Sequence, residues 1–424
     1  MNSVKELLGR NAQVSDYKIN IRQKESFELF YVKGKLETAR CTDACDRQVT
    51  VYVDHDGYKG DSTFFVYPSD GEKQIEAKIA TAVQNAQLIN NQPYTLPGNE
   101  TGEYQLDSNL NTEDMSGLAD KIAQTVFKAN TVENGSLNSV EVFLNRYTHT
   151  VTNSRGLHKT QHRYDAMVEV IPTFNGPQQS VELYEQYNFG SLDEDLLTAE
   201  IAGKMQEVEA RCKAVKPEQP LDCKVVLHKQ DIAELFWSIS GDLNYSTVYS
   251  HSNLFHKGDK LQKEPTGDSI TIRMKGQAEG NINSSCFDGD GLSLNDITLV
   301  EQGIVENYYG SNRFGQYLGE QPTGMLGCLC VEPGTAKPAD LEGQPWLEVV
   351  SMSGLQVDFF NDYIGGEIRL AYYHDGNELR PVTGISISGK LNEVLNRITL
   401  SEETAIQDGY SGPASAILSG MKIF

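Results

Sequence analysis

At 424 residues the chain is too long for one ordinary hydrophobic core, so two or three domains are expected. Its 59 Asp and Glu outnumber 36 Lys and Arg, and the net charge of −23 repels phosphate backbones and anionic lipid, which disfavours nucleic-acid and membrane partners. No apolar run approaches the roughly 20 residues of a membrane span. Residues 1–10 carry no apolar stretch of the signal-peptide kind, and seven scattered cysteines, an odd count, suit a reduced, cytoplasmic chain.

Taken in order, the pattern predicts a short helix over 4–9, then a hairpin of alternating strands over 17–23 and 26–32. Two further strands follow at 49–54 and 62–67, with Asp56-Gly57 and Lys59-Gly60 as turns. Helical spacing of Ile75, Ile79, Ala82, Val83 and Ala86 marks a helix over 72–89. The polar segment 90–112, rich in Gly, Pro and Asn, reads as a long loop, and 115–130 as a second helix. Long strands at 137–153 and 157–172 are joined by Ser154-Arg155-Gly156. A Tyr-rich strand is expected over 180–189 and a helix over 193–214.

Lys216-Pro217-Glu218-Gln219-Pro220 is the best boundary in the sequence. It divides an N-terminal mixed α/β-layer domain, 1–216, from a β-rich domain, 221–424. The second begins with a buried-type strand over 222–227 and a helix over 231–242. In that helix Ile232, Leu235, Phe236 and Ile239 form one apolar stripe. Asp231 and Glu234 read as a capping box, Gly241 as the stop, and Trp237 lies off the stripe. Beyond residue 253, short runs at 269–274, 298–301, 305–309, 346–351, 367–373 and 385–388 suggest antiparallel meanders. The late helix is placed at 391–398. The fold class is α+β.

Candidate chemistry is sparse. His158 and His162 lie on an expected strand, where i, i+4 rings sit about 13 Å apart, too far to share a metal. His251 and His256, with Asp242 or Asp259, form a conceivable metal site on spacing alone. Asp288-Gly-Asp290-Gly291 resembles a calcium loop but misplaces the required Gly and has Leu299 at the twelfth position, so a turn is the better reading. Cys41/Cys45 and Cys328/Cys330 lack the second pair of a zinc ribbon. No phosphate loop, dinucleotide fingerprint or nucleophile elbow occurs.

Several ordered blocks do carry a resemblance. Asn153-Ser-Arg-Gly156, Asp288-Gly-Asp-Gly291 followed by Leu299-Val-Glu-Gln-Gly303 and Tyr308-Tyr-Gly-Ser311, Pro322-Thr323, Glu332-Pro-Gly334, and the blocks around Tyr363-Ile364, Pro381-Val382 and Ser388-Gly389 are similar in order and spacing to the TldD/PmbA family, also called modulators of DNA gyrase. The resemblance implies zinc peptidases working as two-subunit assemblies. In the catalytic type a His-Glu-x-x-x-His helix and a late Cys hold the zinc, and the Glu activates its water.

This chain departs from that pattern. The two His positions fall on Trp237 and Asp242, the Glu position on Ser238 and the Cys position on Ser411. The resemblance therefore implies a PmbA (TldE)-like member with no catalytic residues, no metal ligands and no cofactor of its own. Such a chain would form a homodimer, or a heterodimer with a TldD-like catalytic subunit, and Trp237, Ser238, Asp242 and Ser411 would mark a degenerate site beside a peptide cleft. Its substrates would be unfolded or extended polypeptides. A homodimeric peptide-binding scaffold, or a divergent metallohydrolase using His251 and His256, are the alternatives.

Overall fold

Four strands are far longer than the usual five or six residues: β1 (Asp16–Val32), β2 (Lys35–His55), β5 (Gly135–Asn153) and β6 (His158–Asn175). The computed structural model describes residues 2–177 and 179–424. With β3 (Tyr58–Phe65) and β4 (Thr101–Gln105), the strands form one sheet in the order β3-β2-β1-β5-β6-β4, and β7 (Ser180–Glu182) and β8 (Glu185–Phe189) also pair with β6. Lys33 and Gly34, both at positive φ, make the two-residue turn between β1 and β2.

Helices cover only one face of this sheet. Val4, Leu7 and Leu8 of α1 (Asn2–Arg10) and Ile75, Ile79 and Val83 of α2 (Glu72–Ala86) pack on Ile19, Val49, Val51 and Val53. Farther along, α3 (Met115–Lys128) and α4 (Glu194–Lys213) pack on Leu29 of β1 and on the alternate residues Val140, Val142, Leu144 and Ala166, Val168, Val170. Asp114 and Asp193 cap α3 and α4 by accepting from the Gly117 and Leu196 amides.

The other face of the sheet meets the second half of the chain. Asn20 Nδ2 donates to the Gly289 carbonyl at 3.2 Å, Gln161 Nε2 to Ser285 Oγ at 2.9 Å and Arg163 to the Ile282 carbonyl at 3.0 Å. Lys18 pairs with Asp290, and the fully buried Lys159 donates to Ser293 Oγ at 2.6 Å. His149 sits at this junction, Nε2 2.8 Å from Asn20 Oδ1 and its ring 5.4 Å from that of Phe287.

Burial, then the nearby Arg22, Arg163 and Lys18 cations, push the His149 imidazole down to about 4. A depressed histidine contributes stability that is present above about 6.5 and is lost as pH falls towards 4. His149→Gln should therefore flatten the acid side of the stability profile relative to the unaltered chain by about 2–3 kcal/mol. Parallel urea unfolding curves from neutral pH down to the acid range check this, and superimposable profiles would contradict it.

The second half stacks two sheets around a helix. One sheet runs Ile304–Val305, Ile297–Glu301, Ile272–Lys275, Cys328–Val331, Tyr410–Pro413, Thr404–Gln407. The other runs Thr399–Leu400, Ser415–Leu418, β9 (Lys224–His228), Trp346–Met352, Tyr363–His374, Ile385–Gly389, Lys422–Ile423, with Gln356–Asp358 and Leu379–Val382 also on Tyr363–His374. Helix α5 (Lys229–Asp242) follows β9 directly and packs against strands of both sheets, sharing one core with Val225, Ile272, Leu329, Leu347 and Leu418.

Mixed α+β architecture is what the pattern indicated, with local differences. Residues 35–48, too polar to mark a strand, extend the expected 49–54 strand into β2. Residues 17–32 are one unbroken strand: Lys24 and Glu25 suggested a turn but are hydrogen-bonded into strands on both sides. Within the expected loop 90–112, Thr101–Gln105 adds to β6 in parallel. The 180–189 strand is split at Leu183 and Tyr184. The second half is not all antiparallel meander, since β9 pairs in parallel with Trp346–Met352, and Cys328–Val331 with Tyr410–Pro413. A further late helix, Asn312–Leu318, is capped by Ser311.

Candidate functional site: the buried helix and its facing loops

The apolar stripe of α5 does what its spacing dictates. Ile232, Leu235, Phe236 and Ile239 are each 1% exposed or less. Phe236 stacks nearly parallel to Tyr410, with ring centroids 6.4 Å apart. The helix termini differ from the reading of the sequence. It begins at Lys229 behind His228, which makes no side-chain cap, so Asp231 is no N-cap and forms no capping box with Glu234. It also runs one residue past Gly241.

Asp231 instead sits in the first turn, and burial pushes its carboxyl up to about 6. A raised carboxyl disfavours the fold once it ionises: stability is full below its unfolded value near 3.8 and declines as pH rises through 6. Asp231→Asn should raise stability at neutral pH by about 1–3 kcal/mol and make no difference below pH of about 4. Thermal unfolding of both proteins at the two pH values reads this, and a variant destabilised at neutral pH would contradict it.

Trp237 leaves the stripe and packs partly buried against the rim of the core. It lies against Gly409, where an added Cβ would stand 3.1 Å from Trp237 Cζ2, 2.9 Å from the Gly327 carbonyl oxygen and 2.2 Å from Asn283 Nδ2. Asn283 Nδ2 donates to that same Gly327 carbonyl at 3.2 Å, and the buried Asn281 donates to Ser411 Oγ at 3.1 Å. The structure therefore gathers Trp237, the 281–283 segment and the 409–411 strand. Gly409→Ala should cost about 1–3 kcal/mol by overpacking and shift the Trp237 emission maximum. An unaltered melting point and emission spectrum would contradict this packing.

Ser238 and Asp242 turn to other work. Ser238 Oγ donates to the Glu234 carbonyl at 2.9 Å, within its own helix. The Asp242 carboxylate accepts from the amides of Leu254 and Phe255 at 2.8 and 2.9 Å, fixing the chain after the helix. The family's zinc requires three soft or borderline donors around one point. An indole, a serine bonded to its own helix, a carboxylate taken up by two amides and a serine accepting from Asn281 do not fit that metal.

His251, at φ 55°, and His256 are exposed. His256 Nδ1 is 3.6 Å from Asp259 Oδ2, an oxygen that also accepts the His256 amide. Among the described residues no three His, Cys, Asp or Glu side chains converge in a metal-binding group. His162 of β6 is taken up by Thr148 and Glu103, and all seven cysteines are free thiols. Asn281 and Asn283 escaped the sequence analysis. Their segment has no periodicity, and only tertiary folding brings it to Trp237.

A one-sided helix-covered sheet joined to two sheets around a buried helix defines an α+β protein. Residues 220–424 match the family described as the PmbA/TldA metallopeptidase C-terminal domain. The whole chain superposes on TldE from Thermococcus kodakarensis with TM-score 0.79 at 15% identity, covering 100% of this chain and 99% of that one. A protein from Thermotoga maritima described as a candidate modulator of a DNA gyrase gives 0.73 at 14% identity, covering both chains entirely. A similarly described protein from Bacteroides thetaiotaomicron gives 0.75 at 14% identity, covering 99% of this chain and 97% of that one. No curated protein matches the sequence. Residues 220–424 thus carry the C-terminal domain of the TldD/PmbA family, and the chain as a whole has the fold of these three proteins. No helix among the described residues is long and apolar enough to cross a membrane.

Proposed function

We propose that this chain is a subunit of the TldD/PmbA type that does not hydrolyse peptides itself but pairs with a zinc-bearing TldD-like subunit and helps it act on unfolded or extended polypeptides in the cytoplasm. The observation that carries the reading is the donor set at the degenerate site: Trp237, Ser238, Asp242 and Ser411 stand where the resemblance places two His, a Glu and a Cys, and each is committed to packing or to hydrogen bonds within the chain. A chain without a water-activating carboxylate or a metal can still serve proteolysis by holding substrate. Extended peptides bind through main-chain hydrogen bonds to strand edges and loops, which this strand-rich molecule has in quantity.

The test is reconstitution. A TldD-like subunit carrying its His-Glu-x-x-x-His helix is assayed on a fluorescent, unfolded polypeptide with and without this chain. Cleavage that needs both proteins supports the reading. Full cleavage by the catalytic subunit alone, with no association between the two, overturns it.

A further inference from the structure

The sheet face opposite the helices is covered by the second half only at one end. Beyond Arg163 and Asn20 its residues form rows across β1, β5 and β6, and Glu141, Phe143, Met167 and Glu169 are left partly exposed. Phe30, Glu141 and Glu169 are aligned in one row, and Glu28, Phe143 and Met167 in the next. Asn145 is aligned with Asp165 in a third.

The chain's own cations already use this surface where they can reach it. Arg40 donates to Glu28 at 2.6 Å and stands 5.1 Å over the Phe30 ring. Lys24 and Arg163 stand 5.6 and 4.7 Å over Tyr147. Glu141 and Glu169 have no ion-pair partner among the described residues, and burial together with the Glu169 charge holds the Glu141 carboxyl above its usual range. Tyr184, 60% exposed, stands beside them. Asn145 is 4% exposed and gives its amide hydrogens to Asp165, while its Oδ1 has no partner among the described residues. A buried acceptor without a donor is unfavourable unless something outside the chain supplies one.

We propose that this open sheet face, centred on Glu141, Phe143 and Glu169, is a docking surface for a basic, extended segment of polypeptide. Its Lys or Arg side chains would pair with the two free carboxylates, and their stems would lie on Phe143, Met167 and Tyr184. Charge complementarity sets the choice of occupant: around Glu141 and Glu169 the face offers paired acids and aromatic rings, and Arg40, the cation near Glu141, is already paired with Glu28. Its location sets the role. At its covered end Arg163 bonds to Ile282, between Asn281 and Asn283, and Asn188 Nδ2 of β8 donates to Asp408, beside Gly409. A segment on this face is thereby led to the Trp237 site. The inference rests on the polypeptide-handling function proposed above and adds its charge preference.

The experiment is fluorescence anisotropy with two labelled peptides of about 12 residues, one alternating Lys with Val and the other Glu with Val, each long enough at about 3.3 Å per residue to cross the face. The paired variant Glu141→Gln and Glu169→Gln keeps the side-chain shape and removes a like-charge contact, so it should fold at least as well. Glu72→Gln with Glu76→Gln, on the exposed face of α2, removes the same charge elsewhere. Tighter binding of the Lys peptide, weakened about tenfold by the first variant and less than twofold by the second, is the expected result. Equal weakening by both variants reduces the effect to net charge and overturns the docking surface, while leaving polypeptide handling intact. Binding of neither peptide overturns both. A dimer that dissociates only in the first variant, seen by light scattering with no peptide bound, assigns the face to a second copy and also overturns the proposal.

Discussion

Asp16→Ala should destabilise the chain by about 3–5 kcal/mol, because it leaves the buried Lys59 ammonium and the half-exposed Arg155 guanidinium without their shared counter-charge. Asp16 is 3% exposed at the start of β1. It receives Arg155 Nε and Nη2 at 2.7 and 2.8 Å, Ser154 Oγ at 2.7 Å and Lys59 Nζ at 3.0 Å. Burial alone would push the carboxyl up, but these hydrogen bonds together outweigh it and hold it at about 2. A depressed carboxyl contributes its stability above about 3.8 and loses it as pH falls through 2, so the full effect of the substitution is present at neutral pH. Lys59, 4% exposed, would retain only Asp54, whose side chain is 56% exposed. Urea unfolding of the two proteins gives the difference, and a loss below about 1 kcal/mol would show the network to be peripheral.

The second large effect belongs to the buried helix. Phe236→Ala removes a side chain that is fully buried and stacked on Tyr410, and a cavity of that kind costs about 3–5 kcal/mol. The consequence reaches the site, because Tyr410 lies between Gly409, against Trp237, and Ser411, bonded to Asn281. The variant should therefore both melt lower and change the Trp237 environment. A stability loss under about 1 kcal/mol would mean that the two sheets close around the vacated space.

Much of this was legible in the residues, for identifiable reasons. The α5 stripe could be read because four apolar side chains at helical spacing have few other ways to be buried. The strands β5 and β6 could be read because their alternation is regular and one face is covered by helices, whereas the polar stretch 35–48 of β2 gave no such signal. The departure from the zinc pattern at Trp237, Ser238, Asp242 and Ser411 was visible once ordered blocks suggested the family. Three things were hidden. Asp231 has the chemistry of a cap, but the helix starts two residues earlier, directly off β9, where no side chain is needed to turn the chain. The strand Thr101–Gln105 is too polar to announce itself and exists because β6 offers it a parallel edge. Asn281 and Asn283 lie in a segment without period, and their approach to Gly327 and Ser411 is fixed by a sheet whose strands are distant in sequence.

The same limit explains the open acidic face. Glu141 and Glu169 are far apart in the chain and become neighbours only through the register of β5 on β6. Spacing along one strand shows which residues share a face, but not which face the rest of the molecule leaves uncovered.

The central claim, that this chain contributes no catalytic zinc site, is tested most directly by metal analysis. The purified protein is stripped with chelator, reloaded with zinc, and measured by mass spectrometry beside a fluorescent-peptide cleavage assay. Far less than one zinc per chain, and no cleavage by the chain alone, is the expected result. Zinc at one per chain with cleavage would contradict it and direct attention to His251 and His256.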